Sequence, residues 1–243
     1  MSFGLACSND IADDPVGPAM TTLALAQVTV EQLARLAPLE GHPTATSPWN
    51  AFEQTPLTPE QEQHLTWITT RIRAFHTTRA NESTLWARAI YPLLMLAERG
   101  DVRAWSQVAL KASFKAGDET VELVGVADGV LAREGGLGGD PRPPLLLVVE
   151  AKRAIDATDP APQLLGALYV ALQLDPRGES EPKVCYGCYT VGDTWTFARA
   201  TRTVERGAPR VVVDWSREYT ERTEAATILG ILTAVVAASA EAE

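Results

Sequence analysis

Val121-Glu-Leu-Val-Gly-Val-Ala-Asp128-Gly-Val-Leu131 and Leu145-Leu-Leu-Val-Val-Glu150-Ala-Lys152-Arg153 are the two stretches that decide how this chain folds. Each is an apolar run of strand length that carries charge within it or at its end. Side chains alternate along a strand with period two, so Glu150 and Lys152 project from one face while Ala151 turns to the other. If the first run pairs beside the second, Asp128 joins Glu150 and Lys152 on that face. Two carboxylates and an ammonium at one sheet edge are costly to desolvate unless a hard cation and a phosphate come between them. The residues therefore ask for an anionic partner.

The neighbouring sequence supports a sheet around these two runs. Residues 145–149 are continuously apolar, which predicts a central strand covered on both faces. Residues 102–114 and 120–131 form a hairpin-like pair across Lys115-Ala-Gly-Asp-Glu119, and a Gly/Pro-rich loop is expected over 135–144. That loop is not a phosphate-binding loop, because a strand follows it and no Gly-Lys-Ser/Thr opens a helix. Upstream, Thr58-Pro59-Glu60-Gln61 gives a helix start with Thr58 as N-cap, leading into an amphipathic run to about residue 77. In 81–99 the apolar positions Leu85, Trp86, Ala89, Ile90, Leu93, Leu94 and Leu96 recur at helical spacing, Pro92 predicts a bend, and Gly100 closes the run. Downstream, 161–174 is helical in pattern, 183–190 and 193–200 form a hairpin turning at Val191-Gly192, 210–213 adds a strand, and 221–240 is an apolar helix.

Composition sets the limits. A chain of 243 residues with 46% apolar residues can bury one good core, so one domain over 56–243 is expected behind a loosely ordered Pro/Thr/Ala/Gly-rich arm over 1–55. In that arm only 30–36 has a helical pattern, and the arm is expected to pack on the domain or on a partner. The longest apolar stretch, 225–240, is interrupted by Thr227 and Thr233 and reads as a buried helix, so no membrane association is expected. The N-terminus lacks the basic and apolar regions of a secretory signal, and a cytoplasmic location is expected. Cys185 and Cys188 match C-x-x-C, but in a strand residues three apart face opposite sides, and with Cys7 far upstream they read as ordinary strand cysteines. Trp195 and Phe197 alternate in a strand and read as core rather than as a base-stacking pair. A net charge of −10 argues against a general nucleic-acid coat. It leaves room for a local basic track, such as Arg71, Arg73, His76, Arg79 and Arg88, on one face.

Taken together, the order is helix, three strands, helix, two strands, then a terminal strand and helix: an α/β protein with a central mixed β-sheet flanked by helices. In this order and in four motifs the chain resembles the PD-(D/E)xK nuclease superfamily, whose core is restriction-endonuclease-like. The motifs are Asn-Glu82 before an Ile-Tyr-Pro-Leu-Leu helix, Gly125-Val-Ala-Asp128, Val-Val-Glu150-Ala-Lys152-Arg, and Pro-Gln163-Leu-Leu-Gly. The resemblance covers roughly residues 81–199 and is narrowest to nuclease-like proteins near type I restriction subunits. The superfamily's proline before the first aspartate is replaced here by Val-Ala-Asp.

The resemblance implies that Asp128 and Glu150 are metal ligands, with Glu82 reaching the metal directly or through water. An oxygen-only site of this kind suits Mg²⁺ or Mn²⁺. It implies that Lys152 positions or deprotonates the attacking water and stabilises the transition state, and that Gln163 orients Lys152, water or a phosphate. Glu82 also follows Asn81, a natural N-cap, where negative charge favours the helix dipole, and Gln163 also suits a polar helix start. Arg153, Arg79 and Arg88 are the expected contacts to nucleic acid, Arg153 being equally placed as a plain surface charge. The expected activity is metal-dependent hydrolysis of phosphodiester bonds, in DNA first, in a defence or restriction setting. Specificity would then come from a protein partner or from shape, and a homodimer is compatible with the sequence. The alternative is a catalytically silent nuclease fold that serves as a scaffold or binding subunit.

Overall fold

The computed structural model describes residues 20–41, 47–74, 79–136, 139–154, 158–179 and 181–240. It begins with β1 (Met20–Ala24), a single 3-10 turn at Leu25–Gln27, α1 (Val30–Leu36) and β2 (Leu39–Gly41). Two short reciprocal bonds start α1: the Thr29 hydroxyl accepts from the Gln32 N–H at 3.2 Å, and the Gln32 side chain accepts from the Thr29 N–H at 2.9 Å. The same device opens α3 (Pro59–Arg73), which follows the short α2 (Trp49–Phe52), with Thr58 and Gln61 as the partners. The Gln61 amide also donates to the Leu96 carbonyl at 2.9 Å, so a capping residue ties this helix to the next layer. The expected end of this helix near 77 and His76 of the basic track lie outside the described residues.

The run expected as one bent helix from 81 is three pieces: α4 (Glu82–Leu85), a π-helical segment over Trp86–Ile90, and α5 (Tyr91–Leu96). Pro92 has no N–H to return to the Arg88 carbonyl, and its ring crowds the preceding turn. The ladder widens there by one residue, with the Tyr91 N–H on the Trp86 carbonyl.

Then come β3 (Val102–Ala116), β4 (Glu119–Glu134), β5 (Pro141–Lys152), α6 (Ala161–Leu174), β6 (Lys183–Val191), β7 (Thr194–Glu205), β8 (Ala208–Thr220) and α7 (Glu221–Ala240). The order of elements from 82 onward is the expected one. β5 starts at Pro141, inside the stretch expected as a loop, because Arg142 and Pro141 still pair with Arg133 and Glu134 of β4. The sheet is mixed and eight-stranded, in the order β1-β4-β5-β6-β7-β8-β2, with β3 on the other edge of β4. β4 is the hub. Its first half pairs with β1 over residues 120–124 and its second half with β5 over residues 129–134, both on one edge. The crossover from β5 to the parallel β6 is made by α6.

Both faces of the sheet are covered. On one, Ile68, Ile90, Leu93, Leu229 and Leu232 from the helices pack on Trp195, Phe197 and Tyr219. Trp195 and Phe197 are fully buried there, so neither is open to a base. On the other face, Leu33, Leu164, Leu168 and Val170 pack on Leu110, Val130 and Val148. Cys185 belongs to this second core and Cys188 to the first, each a buried free thiol on its own side of β6. Burial pushes both thiols well above their ordinary range.

Part of the stretch expected as a loose arm is built into the sheet. β1 pairs parallel with β4, and β2 pairs parallel with β8 at the opposite end of the sheet. Leu25 sits against Gly125 of β4 and Gly166 of α6, where an added Cβ would lie 2.7 and 2.8 Å from its side chain. Among the described residues, no helix is long and apolar enough to cross a membrane.

Candidate functional site

The sheet opens beside the acidic residues. β1 leaves β4 after Val124 and β5 joins it from Gly129, so residues 125–128 lie at a fork between two partners. The last β4–β5 pair is Gly129 with Val149, and beyond it the Ala151 N–H donates to Asp128 Oδ2 at 2.7 Å. The carboxylate takes the place of a ladder bond where the strands part. Asp128, Glu150 and Lys152 share the face predicted from the period of two, opposite to Val149 and Ala151 in the other core.

Lys152 Nζ donates to Glu150 Oε1 at 2.5 Å and to Gln163 Oε1 at 3.3 Å. The structure thus brings Asp128, Glu150, Lys152 and Gln163 together from β4, β5 and the first turn of α6. Glu82 is the first residue of α4, behind Asn81, whose side chain accepts from the Thr84 N–H at 2.8 Å. It is exposed, and its charge acts on both Glu150 and Lys152. Arg153 is exposed immediately after Lys152. Arg79 is exposed just before α4, and Arg88 lines a groove of about 320 Å³ with Trp67, Arg71 and Leu85.

Glu150 is only 4% exposed. Burial pushes its carboxyl up to about 7; the nearby charges of Asp128 and Glu82 add to the rise, and the bond from Lys152 opposes it. Burial works against the charge on Lys152, yet its bond to Glu150 and the charges of Glu150, Glu82 and Asp128 outweigh that and hold its ammonium above the usual range. Three carboxylates and one ammonium therefore interact here, with Glu150 the one buried member.

A hard divalent cation fits that imbalance and the all-oxygen donor set. Mg²⁺ is commonly held by one or two carboxylates, with water and substrate phosphate filling the remaining positions. Asp128 and Glu150 are suited to that role. Among the described residues no group of three or more His, Cys, Asp or Glu side chains is gathered as a ready cation cage. Glu82 acts here through its charge at longer range.

Two residues missed in the sequence complete the surroundings. Gln107, on β3, donates its amide to Asp128 Oδ1 at 3.1 Å, and the Ser106 hydroxyl donates to the Asp128 carbonyl at 3.4 Å. Nothing in a β-strand pattern marks either one; only the register of β3 on β4, which sets Ser106 against Gly129, brings them here. Comparison with known proteins found no family model that matches the chain and no curated protein with significant similarity to it.

Proposed function

We propose that this chain is a Mg²⁺- or Mn²⁺-dependent phosphodiesterase that hydrolyses nucleic acid, DNA first, on the plan of the PD-(D/E)xK nucleases. The observation that carries the reading is the cluster at the fork of the sheet: Asp128 against the Ala151 N–H, and Glu150 joined to Lys152 and through it to Gln163. Asp128 and Glu150 would hold the cation, which supplies Lewis acidity at the phosphate and lowers the pKa of water. Lys152 has three N–H donors, of which two are directed at Glu150 and Gln163. The third is left for the attacking water or a phosphate oxygen. With its carbonyl oxygen accepting from Lys152, Gln163 keeps its NH₂ group for the substrate. Arg153, exposed just after β5, would meet the nucleic-acid backbone on one side of the site.

The test is cleavage of supercoiled plasmid, linear duplex, single-stranded DNA and RNA with Mg²⁺ or Mn²⁺. Wild type is compared with Lys152→Ala and Asp128→Ala, each checked for folding by circular dichroism. Cleavage by wild type that falls about 100-fold or more in both variants is the expected result. Wild type that cleaves none of the four with either cation leaves the chain as a silent scaffold of the same fold.

A further inference from the structure

Gln107 has φ of 55°, the left-handed region that an L residue with a full side chain enters at a cost. The other non-glycine residue of this kind among those described, Arg206, lies with Gly207 in the turn between β7 and β8, where such angles are ordinary. Gln107 lies in the middle of β3. No register shift forces it: Ser106 faces Gly129 and Val108 faces Ala127, so the count of residues is the same on both strands across it. The residue facing it is Asp128, and the two form the one gap in an otherwise continuous ladder from Val102 to Ala116. Across that gap the Gln107 amide donates to Asp128 Oδ1 at 3.1 Å.

From this we infer that Gln107 is a positioning residue for Asp128. The inference rests on the proposed function and names a further part of the same site. With Ala151 N–H on Oδ2 and Gln107 on Oδ1, both carboxylate oxygens are fixed in direction before a cation arrives. Outer hydrogen bonds of this kind set the orientation of a ligand, and their loss commonly weakens metal binding by about 10- to 100-fold. The strained backbone is retained at the position from which that bond is made, so stability is given up locally for the orientation of Asp128.

Two variants separate this role from a structural one. Gln107→Gly removes the amide and relieves the backbone; Gln107→Ala removes the amide and keeps the strain. The full chain is titrated with Mn²⁺ alone by calorimetry, with Asp128→Ala as the measure of binding outside the site, and the melting temperature of each metal-free variant is recorded. Both variants are expected to bind Mn²⁺ about tenfold more weakly or worse, while Gln107→Gly melts at or above wild type. Mn²⁺ affinity equal to wild type in both variants overturns the role of Gln107 and leaves the cation site standing. Wild type that binds no more Mn²⁺ than Asp128→Ala removes the cation site, and the role of Gln107 falls with it.

Discussion

Glu150 buries a carboxyl group beside an ammonium and within reach of two other carboxylates, and the sign of its shift fixes a pH response. Its pKa rises from an ordinary 4.5 to about 7 on folding. A raised carboxyl contributes its full stability below the unfolded value and loses it as pH rises through the folded value. For a shift of this size the loss is about 3 kcal/mol between pH 4.5 and 7. Glu221, buried under the Trp195 indole N–H at 3.1 Å, is pushed up to about 7 by burial and by Asp193, and adds a loss of the same sign in the same window. The metal-free protein is therefore expected to melt lower at pH 8 than at pH 5. Glu150→Gln flattens part of that slope and Glu221→Gln another part. Mg²⁺ at pH 8 raises the melting temperature of wild type and of Glu221→Gln, and leaves Glu150→Gln where it was. Thermal scans at three pH values with and without Mg²⁺ check this, and a melting temperature that stays level from pH 5 to 8 in wild type contradicts it. At this scale the alternation of Glu150-Ala-Lys152 was legible, because the period of a strand is written in residue order. Gln107 was not, because the sign of φ at an ordinary glutamine leaves no trace in a pattern of polar and apolar residues.

Where α4 and its π segment meet the sheet, the fit depends on a missing side chain. A Cβ on Gly129 would fall 2.3 Å from the Trp86 ring and 3.1 Å from the Trp105 carbonyl. Trp86 in turn rests on Tyr91 with ring centroids 5.6 Å apart, and the Tyr91 hydroxyl donates to the Ala104 carbonyl at 3.0 Å. Gly129→Ala must then push the helical segment off the sheet or bend β4 next to Asp128. Overpacking of this kind costs about 1–3 kcal/mol. The Trp86→Ala/Gly129→Ala double variant is expected to recover part of the loss that Gly129→Ala shows relative to its own background. Urea denaturation of the four proteins measures the coupling, and strictly additive losses would show that the two residues do not meet. The sequence made some elements plain: α6 and α7 have the bounds that the apolar pattern predicts, and the Thr58/Gln61 box marks the start of α3. Other elements left little signal. β1 has four of its five residues exposed and β2 is three residues long, so neither shows the alternation of a half-buried strand. The π segment needed the proline to be read as a change of helix type rather than as a bend.

Across the whole molecule, the N-terminal segment joins the sheet at two places. β1 supplies the partner for the first half of β4, and β2 closes β8 at the far edge. Between them Leu25, Val28, Leu33, Leu36 and Ala37 enter the second core, and beyond β2 Trp49 of α2 enters the first. A reading by composition places the domain from residue 56, because the segment is rich in Pro, Thr, Ala and Gly and its apolar residues become a core only when β4, β8 and α6 are brought to them. The fork that sets Asp128 beside Ala151 exists because β1 and β5 share one edge of β4. Removal of residues 1–55 would strip that edge over residues 120–124 and uncover the glycines that Leu25 fills. Burial of a leucine in such a core is worth about 2–5 kcal/mol against alanine, so Leu25, Leu33 and Leu36 together approach the entire stability of about 5–15 kcal/mol expected of a domain. The chain over 56–243 is accordingly expected to be aggregated or unfolded at 25 °C and inactive. Leu25→Ala in the full chain should lose about 2–4 kcal/mol and remain monodisperse. Size-exclusion chromatography with urea denaturation distinguishes the cases. A monodisperse 56–243 fragment with the melting temperature of the full chain would make residues 20–41 an ornament on the sheet rather than a part of it.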